Sequence, residues 1–118
     1  MNLNHLVVAI YARAAMDRKE TGTSDLGIAS SKIRNNIRHG SAVDPVAGIP
    51  VLYMPDWAAL HAYEESIGTD AFAAAWTAMN DTRRDNAAAL SVLWGNKDYT
   101  GMVNLMDNQP VDAEGGNE

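Results

Sequence analysis

The feature that most constrains this chain is a run of large side chains between Phe72 and Leu93. Their positions alternate steps of four and three residues, which is the spacing of a heptad repeat. The seven positions are Phe72, Trp76, Met79, Arg83, Asn86, Leu90 and Leu93. Because this spacing keeps every member on one side of an α-helix, it predicts a helix over residues 70–94 that buries this side against other helices.

Two of these seven residues are polar, and this leaves two interpretations open for the stripe that the seven form along the helix. The stripe packs either inside a helical bundle or against a second copy, where Arg83 and Asn86 would set register and oligomeric state. The residues of that oligomer seam would be Phe72, Trp76, Met79, Arg83, Asn86 and Leu90. The helix itself is either one rod of about 37 Å at 1.5 Å per residue or two helices broken at residues 80–82, where Asp81 would cap the second.

Three further segments carry helical spacing of apolar residues. Residues 2–19 are predicted to form an amphipathic helix with an asparagine cap at its start. Residues 24–39 form the second helix, which ends before Gly40, and residues 56–67 form the third, which ends before Gly68. Glycine readily takes the left-handed conformation that follows many helices.

Residues 41–55 interrupt this pattern with Pro45, Pro50 and Pro55. Proline lacks a backbone N–H and cannot continue a helix. Because the segment is nevertheless apolar, we predict an ordered, extended crossover that lies on the core.

The segment after residue 94 leaves two structures open. Gly95-Asn96 suits a two-residue hairpin turn, whereas Asp98 suits the cap of a helix. We favour the helix because its neighbours are helical. Its inward residues would be Met102, Leu105 and Met106. Residues 108–118 are polar and acidic and are predicted to be a disordered tail.

Together these segments predict an all-α fold, a compact bundle of four or five helices over residues 1–107. The length of 118 residues fits one domain. The absence of cysteine excludes disulfides and thiolate metal sites. No run approaches 18 apolar residues, so no membrane partner is expected. Residues 6–12 form a short apolar run, but no cation precedes it, so we expect a cytoplasmic protein rather than a secreted one.

Charge is distributed unevenly along the chain. The net charge is −6, with +3 in residues 1–43 and −9 in residues 44–118. The cationic second helix is either an anion-binding face for a phosphate-bearing ligand or a solvated face whose cations pair with the acidic second half. The candidate binding residues are Lys32, Arg34, Arg38 and His39. No aromatic side chain lies among them to stack on bases, so nucleic acid is not the favoured partner.

The sequence offers little for catalysis. His61 with Glu64 or Glu65 on one helix turn is half of a metal site, without a matching ligand pair elsewhere. Neither a Gly-x-Ser-x-Gly elbow nor a glycine-rich phosphate loop occurs. We assign no catalytic residue, no metal and no cofactor.

These observations favour a non-enzymatic interaction protein of the inhibitor or adaptor type. It would associate with itself and bind a protein partner through a formed helical surface. The alternative is a binding module for a nucleotide or nucleic acid, centred on residues 24–39.

Overall fold

The computed structural model describes residues 1–112, with side chains described through residue 108. In this part the chain forms six α-helices: α1 Leu6–Thr21, α2 Leu26–His39, α3 Trp57–Ile67, α4 Thr69–Asp85, α5 Ala87–Gly95 and α6 Tyr99–Asp112. Two short 3₁₀ turns, Leu3–His5 and Val51–Tyr53, are added to these, and no strand occurs within residues 1–112. The all-α prediction is confirmed, with one helix more than expected. Helix α6 includes residues 108–112 of the tail predicted at 108–118, and the rest of that tail lies outside the described residues.

Helix α1 is the central element and packs on α2 and α6. Every residue from Leu6 to Ala14 is buried, including Arg13. A helix that is buried on all sides belongs inside a bundle. The amphipathic interpretation is therefore wrong for this half of α1, and its apolar run is explained by the central position.

Aspartate side chains cap the next two helices. Asp25 accepts a hydrogen bond from the N–H of Ile28 at 3.0 Å, and Asp56 accepts one from the N–H of Ala59 at 3.0 Å. Because Asp25 provides the cap, α2 begins slightly later than predicted. Gly40 ends α2 with a left-handed φ of 68°, as expected.

The helix predicted over residues 70–94 is broken at Asn86. The single rod is therefore wrong, and the alternative break at residues 80–82 is misplaced. The side-chain amide of Asn86 donates to the carbonyl of Thr82 at 2.8 Å. Its backbone N–H is shared between the carbonyls of Thr82 and Arg83, at 3.1 and 3.3 Å. Such local side-chain bonding competes with continuation of a helix.

The helical alternative for the segment after residue 94 is correct. Asp98 accepts a hydrogen bond from the N–H of Gly101 at 2.8 Å, and α6 follows directly. Met102 and Met106 are buried, as predicted. Helix α6 thereby closes the core against α1 and α5.

Residues 41–55, which we call the crossover, join α2 to α3 without an α-helix. Val46, Ile49 and Tyr53 pack against the core. The crossover therefore lies on the core through these three side chains, while others point to solvent.

Candidate interaction surface

Two of the four predicted binding residues on α2 are engaged within the chain. The Nζ atom of Lys32 lies 2.9 Å from Oδ1 of Asp17. The guanidinium of Arg34 pairs with both oxygens of Glu64, at N–O distances of 2.9 and 2.7 Å. Its Cζ atom also lies 4.6 Å from the centre of the Phe72 ring. Arg34 pairs with an acid of the second half of the chain, whereas Lys32 pairs with Asp17, which lies in residues 1–43.

The other two predicted binding residues, Arg38 and His39, are exposed at the C-terminal end of α2. Nδ1 of His39 lies 2.8 Å from the carbonyl oxygen of Asn35. The C-terminal end of a helix carries partial negative charge, which opposes an anionic ligand. The structure does not bring the four residues together into one anion site.

The six residues of the predicted oligomer seam lie inside one chain. Phe72 and Leu90 are 0% exposed, Met79 is 2%, Arg83 4% and Asn86 9% exposed, and Trp76 is half-buried. They pack on other helices of the same chain. Apart from Trp76, these side chains would be reached by a second copy only if the bundle opened.

Within the described residues, Arg83 is buried without a carboxylate partner. Its Nε and Nη2 atoms donate to Oδ1 of Asn80 at 3.1 and 3.0 Å, and the same oxygen accepts from the hydroxyl of Ser30 at 2.9 Å. Burial lowers the pKa of Arg83 and raises the pKa of Tyr11, whose hydroxyl lacks a hydrogen-bond partner among the described residues. This network joins α2 to α4 in the interior.

Arg13 fastens the crossover to α1. It binds Oδ1 of Asp17 through Nε and Nη2 at 3.0 and 2.5 Å, and its Nη1 donates to the carbonyl of Pro45 at 2.9 Å. Burial alone would raise the pKa of Asp17, but hydrogen bonds from Lys32 and Arg13 outweigh burial and hold that pKa below its ordinary value. Asp17 is therefore ionised at neutral pH, where it holds Arg13 in place.

Two further contacts fasten the crossover. The buried side chain of Asn36 bonds to both backbone groups of Asp44. Its Nδ2 donates to the carbonyl at 2.8 Å and its Oδ1 accepts from the N–H at 2.8 Å. Further along, the hydroxyls of Tyr53 and Thr100 lie 2.5 Å apart, and the ring of Tyr53 packs on that of Tyr99 with centroids 5.8 Å apart. The crossover is thus fixed on both sides of residues 46–52.

Between these contacts the crossover presents two adjacent apolar side chains to solvent. Val51 is 87% exposed and Leu52 is 81% exposed. Both lie on a 3₁₀ turn that follows Pro50, and we call this pair the knob. Contiguous exposed apolar surface is a feature of many interaction sites, whereas isolated exposed apolar residues are ordinary.

A small cleft of about 190 Å³ lies beside the knob. Leu52 and Met54 line it from the crossover, Met1 and His5 from the N-terminal segment, and Asp56 from the start of α3. Met1 is 62% exposed and Met54 37% exposed. The apolar surface therefore extends from the knob across the cleft.

A larger concavity of about 460 Å³ lies between α1, the crossover and α5, and we call it the trough. Its apolar lining consists of Ala12, Ala15, Met16, Ala47, Gly48 and Trp94. Lys19 and Glu20 add the charged side chains. The trough exists because alanine and glycine leave space that larger side chains would fill.

The sequence-based candidates did not include the crossover. A signal was present, since apolar residues are dense between residues 49 and 54 in a segment from which prolines exclude a helix. Hydrophobic periodicity assigns inward and outward directions only within helices and strands. It therefore could not show which of these side chains face solvent.

His61, the predicted half of a metal site, contacts other parts of the fold. Its Nδ1 lies 3.1 Å from the carbonyl oxygen of Ile37, and its Nε2 lies 3.5 Å from the carboxylate of Glu65. Among the described residues, no three potential metal ligands come together. Nowhere in residues 1–112 does a helix have both the length and the apolar character needed to cross a bilayer.

Comparison with protein families, with curated proteins and with solved structures gives no match to this chain. Its function is therefore inferred from the contacts and the exposure of its own residues.

Proposed function

We propose that this chain is a non-enzymatic interaction protein that binds a partner protein through the knob and the apolar surface beside it. The observation that carries this proposal is the exposure of Val51 and Leu52, at 87% and 81%. A single exposed apolar residue is ordinary on a protein surface. Two adjacent ones, next to Met1 and Met54, form the kind of patch that marks a binding surface.

The fixed conformation of the crossover supports the same proposal. Asn36 and Arg13 bond to the backbone of residues 44–45, and Tyr53 bonds to Thr100. A turn that is already ordered loses less conformational entropy when it binds. The knob is thus suited to enter a pocket on the partner without rearrangement.

Charge indicates the chemistry of the partner. The chain carries a net charge of −6, and Asp56 lines the cleft beside the knob. An apolar pocket bordered by basic side chains would complement both features. By covering such a pocket, the chain would act as an inhibitor or adaptor.

The phosphate-binding alternative gains no support from the geometry. Lys32 and Arg34 are held by Asp17 and Glu64. A phosphate ligand would have to break a buried ion pair to engage Arg34.

Affinity capture from the producing cells tests the proposed function. The tagged wild-type chain would be compared with Leu52→Asp, and each captured protein would be purified and titrated by calorimetry. We expect Leu52→Asp to raise the dissociation constant at least about tenfold, since a charge then occupies an apolar pocket.

The matched control is Ile28→Asp. Ile28 is an apolar side chain on α2 that is 57% exposed and does not line the knob surface. We expect this variant to bind like the wild type. Partner binding that survives Leu52→Asp but is lost in Arg38→Glu would contradict the proposal and place the interface on α2.

A further inference from the structure

We infer that the trough receives the knob of a second copy of this chain, in a dimer with twofold symmetry. This inference rests on the proposed function and names one partner for the same surface. It starts from the presence, on one molecule, of an exposed apolar projection and an apolar concavity of about 460 Å³.

The two features match in chemistry. The knob consists of branched aliphatic side chains, whereas the trough is lined by the methyl groups of Ala15 and Ala47 and by the side chain of Trp94. Moving exposed aliphatic side chains onto such a surface removes apolar area from water on both sides, which drives association.

The knob and the trough are neighbours along the crossover. Ala47 and Gly48 line the trough, and the 3₁₀ turn that carries the knob begins at Val51, three residues after Gly48. Three residues of chain span at most about 11 Å. The projection and the concavity therefore lie close together on the surface of one molecule.

Two neighbouring features on one molecule permit a closed, reciprocal contact. With a twofold axis between them, each copy places its knob in the trough of the other. One such contact alone is small beside the roughly 1,200 Å² of a stable interface. Two equivalent contacts double the buried area, and we expect a weak, reversible dimer.

The charges beside the knob and in the trough support this arrangement of the two copies. Asp56 lies beside the knob, and one of its oxygens caps α3 by accepting from Ala59. Lys19 lines the trough and makes no ion pair with the described residues, whereas the neighbouring Glu20 lies 3.8 Å from Nη2 of Arg13. When the knob of one copy enters the trough of the other, Asp56 approaches Lys19 with opposite charge.

Sedimentation velocity over protein concentrations up to about 1 mM tests the dimer. We expect wild-type chains to associate, and both Leu52→Asp and Ala15→Glu to raise the dissociation constant at least about tenfold. Leu52 and Ala15 are exposed, so neither change disturbs the core. Circular dichroism checks the fold, and Val51→Asp gives an independent disruption of the knob.

Each variant has a matched control. Ile28→Asp adds a carboxylate on α2, and Ala73→Glu adds one at an exposed alanine of α4, outside the knob and the trough. For the charged contact, Lys19→Glu is compared with Arg18→Glu, because Arg18 is an exposed neighbour that does not line the trough. We expect each control variant to form a tighter dimer than the test variant with which it is matched.

Mixing two variants gives the sharpest test. Leu52→Asp has an open trough without a knob, and Ala15→Lys has a knob without an open trough. In their mixture the blocked half of the dimer brings opposite charges together instead of two carboxylates. We expect neither to associate alone, but their mixture to form a dimer through the one remaining contact, weaker than the wild-type dimer. Surfaces that are merely apolar would not show this complementation.

A wild-type chain that stays monomeric at about 1 mM would overturn this inference, as would a dimer that survives both Leu52→Asp and Ala15→Glu. A mixture that fails to associate would overturn the reciprocal contact. None of these outcomes removes the proposed function, which fails only if Leu52→Asp leaves binding to the partner protein unchanged.

Discussion

Arg34 on α2 and Glu64 on α3 form a buried bidentate ion pair, in which Nη1–Oε1 is 2.9 Å and Nη2–Oε2 is 2.7 Å. The pair joins the cationic first part of the chain to its acidic second part. It also explains why a basic residue that looked available for a ligand in the sequence is unavailable in the fold.

Arg34→Met should destabilise the protein by about 3–5 kcal/mol, because the carboxylate of Glu64 then stays buried without its partner. The double variant Arg34→Met/Glu64→Leu should regain most of this loss, since it buries no unpaired charge. Urea denaturation of the three proteins measures the difference. A single variant as stable as the wild type would show that the pair does not hold α2 on α3.

Stability should fall in acid because two carboxyl groups are held ionised. The hydrogen bond from Arg34 keeps the pKa of Glu64 below its ordinary 4.5, and bonds from Lys32 and Arg13 outweigh burial to keep that of Asp17 below 3.8. Both native pKa values are lowered, so the unfolded state binds more protons in this range. The free energy of unfolding should therefore be constant above about pH 5.5 and decrease as pH falls through the native pKa values.

Denaturation curves between neutral pH and about pH 2 measure this dependence. Glu64→Gln should flatten its slope, because one titrating group is gone. A slope equal to that of the wild type would show that Glu64 does not contribute.

Arg83→Met should be neutral or should stabilise the protein by about 1–3 kcal/mol, because a buried guanidinium without a carboxylate partner is replaced by an apolar side chain. Asn80 keeps its hydrogen bond from Ser30 in this variant. By contrast, Asn80→Ala should destabilise the protein by about 2–3 kcal/mol, since Arg83 loses its acceptor. Thermal and urea denaturation distinguish the two, and a strongly destabilised Arg83→Met would contradict this account.

Asn36→Ala should loosen the crossover, because both backbone groups of Asp44 lose their partners. We expect a loss of about 2–3 kcal/mol and faster hydrogen exchange at the amide of Asp44. Asn35→Ala is the matched control, since the Asn35 side chain makes no hydrogen bond with the described residues and only its backbone carbonyl contacts the His39 ring. Equal exchange rates in the two variants would show that Asn36 does not fasten the crossover.

The sequence was sufficient to predict helix ends and buried helix faces, because residues close together in the chain decide these features. Gly40 and Gly68 mark helix ends with positive φ, and Asp98 caps a helix, as their positions predicted. The periodic apolar residues of the later helices also predicted which side is buried, because helical spacing dictates a common face.

Features that depend on partners distant in sequence were not predictable. The charge pattern showed that Arg34 was cationic, but only the approach of α3 shows that Glu64 neutralises it. At Asn86, the spacing continued through the break because α5 keeps Leu90 on the buried side. The knob lay in a segment without periodicity, so nothing local indicated that Leu52 faces solvent.

The hydrogen bonds that fix the first part of the crossover are indifferent to its side chains. Asn36 recognises the main-chain groups of Asp44, and Arg13 recognises the carbonyl oxygen of Pro45. The exposed pair at residues 51–52 is therefore separable from these main-chain bonds, and we expect foreign side chains at those two positions to leave the helical frame unchanged.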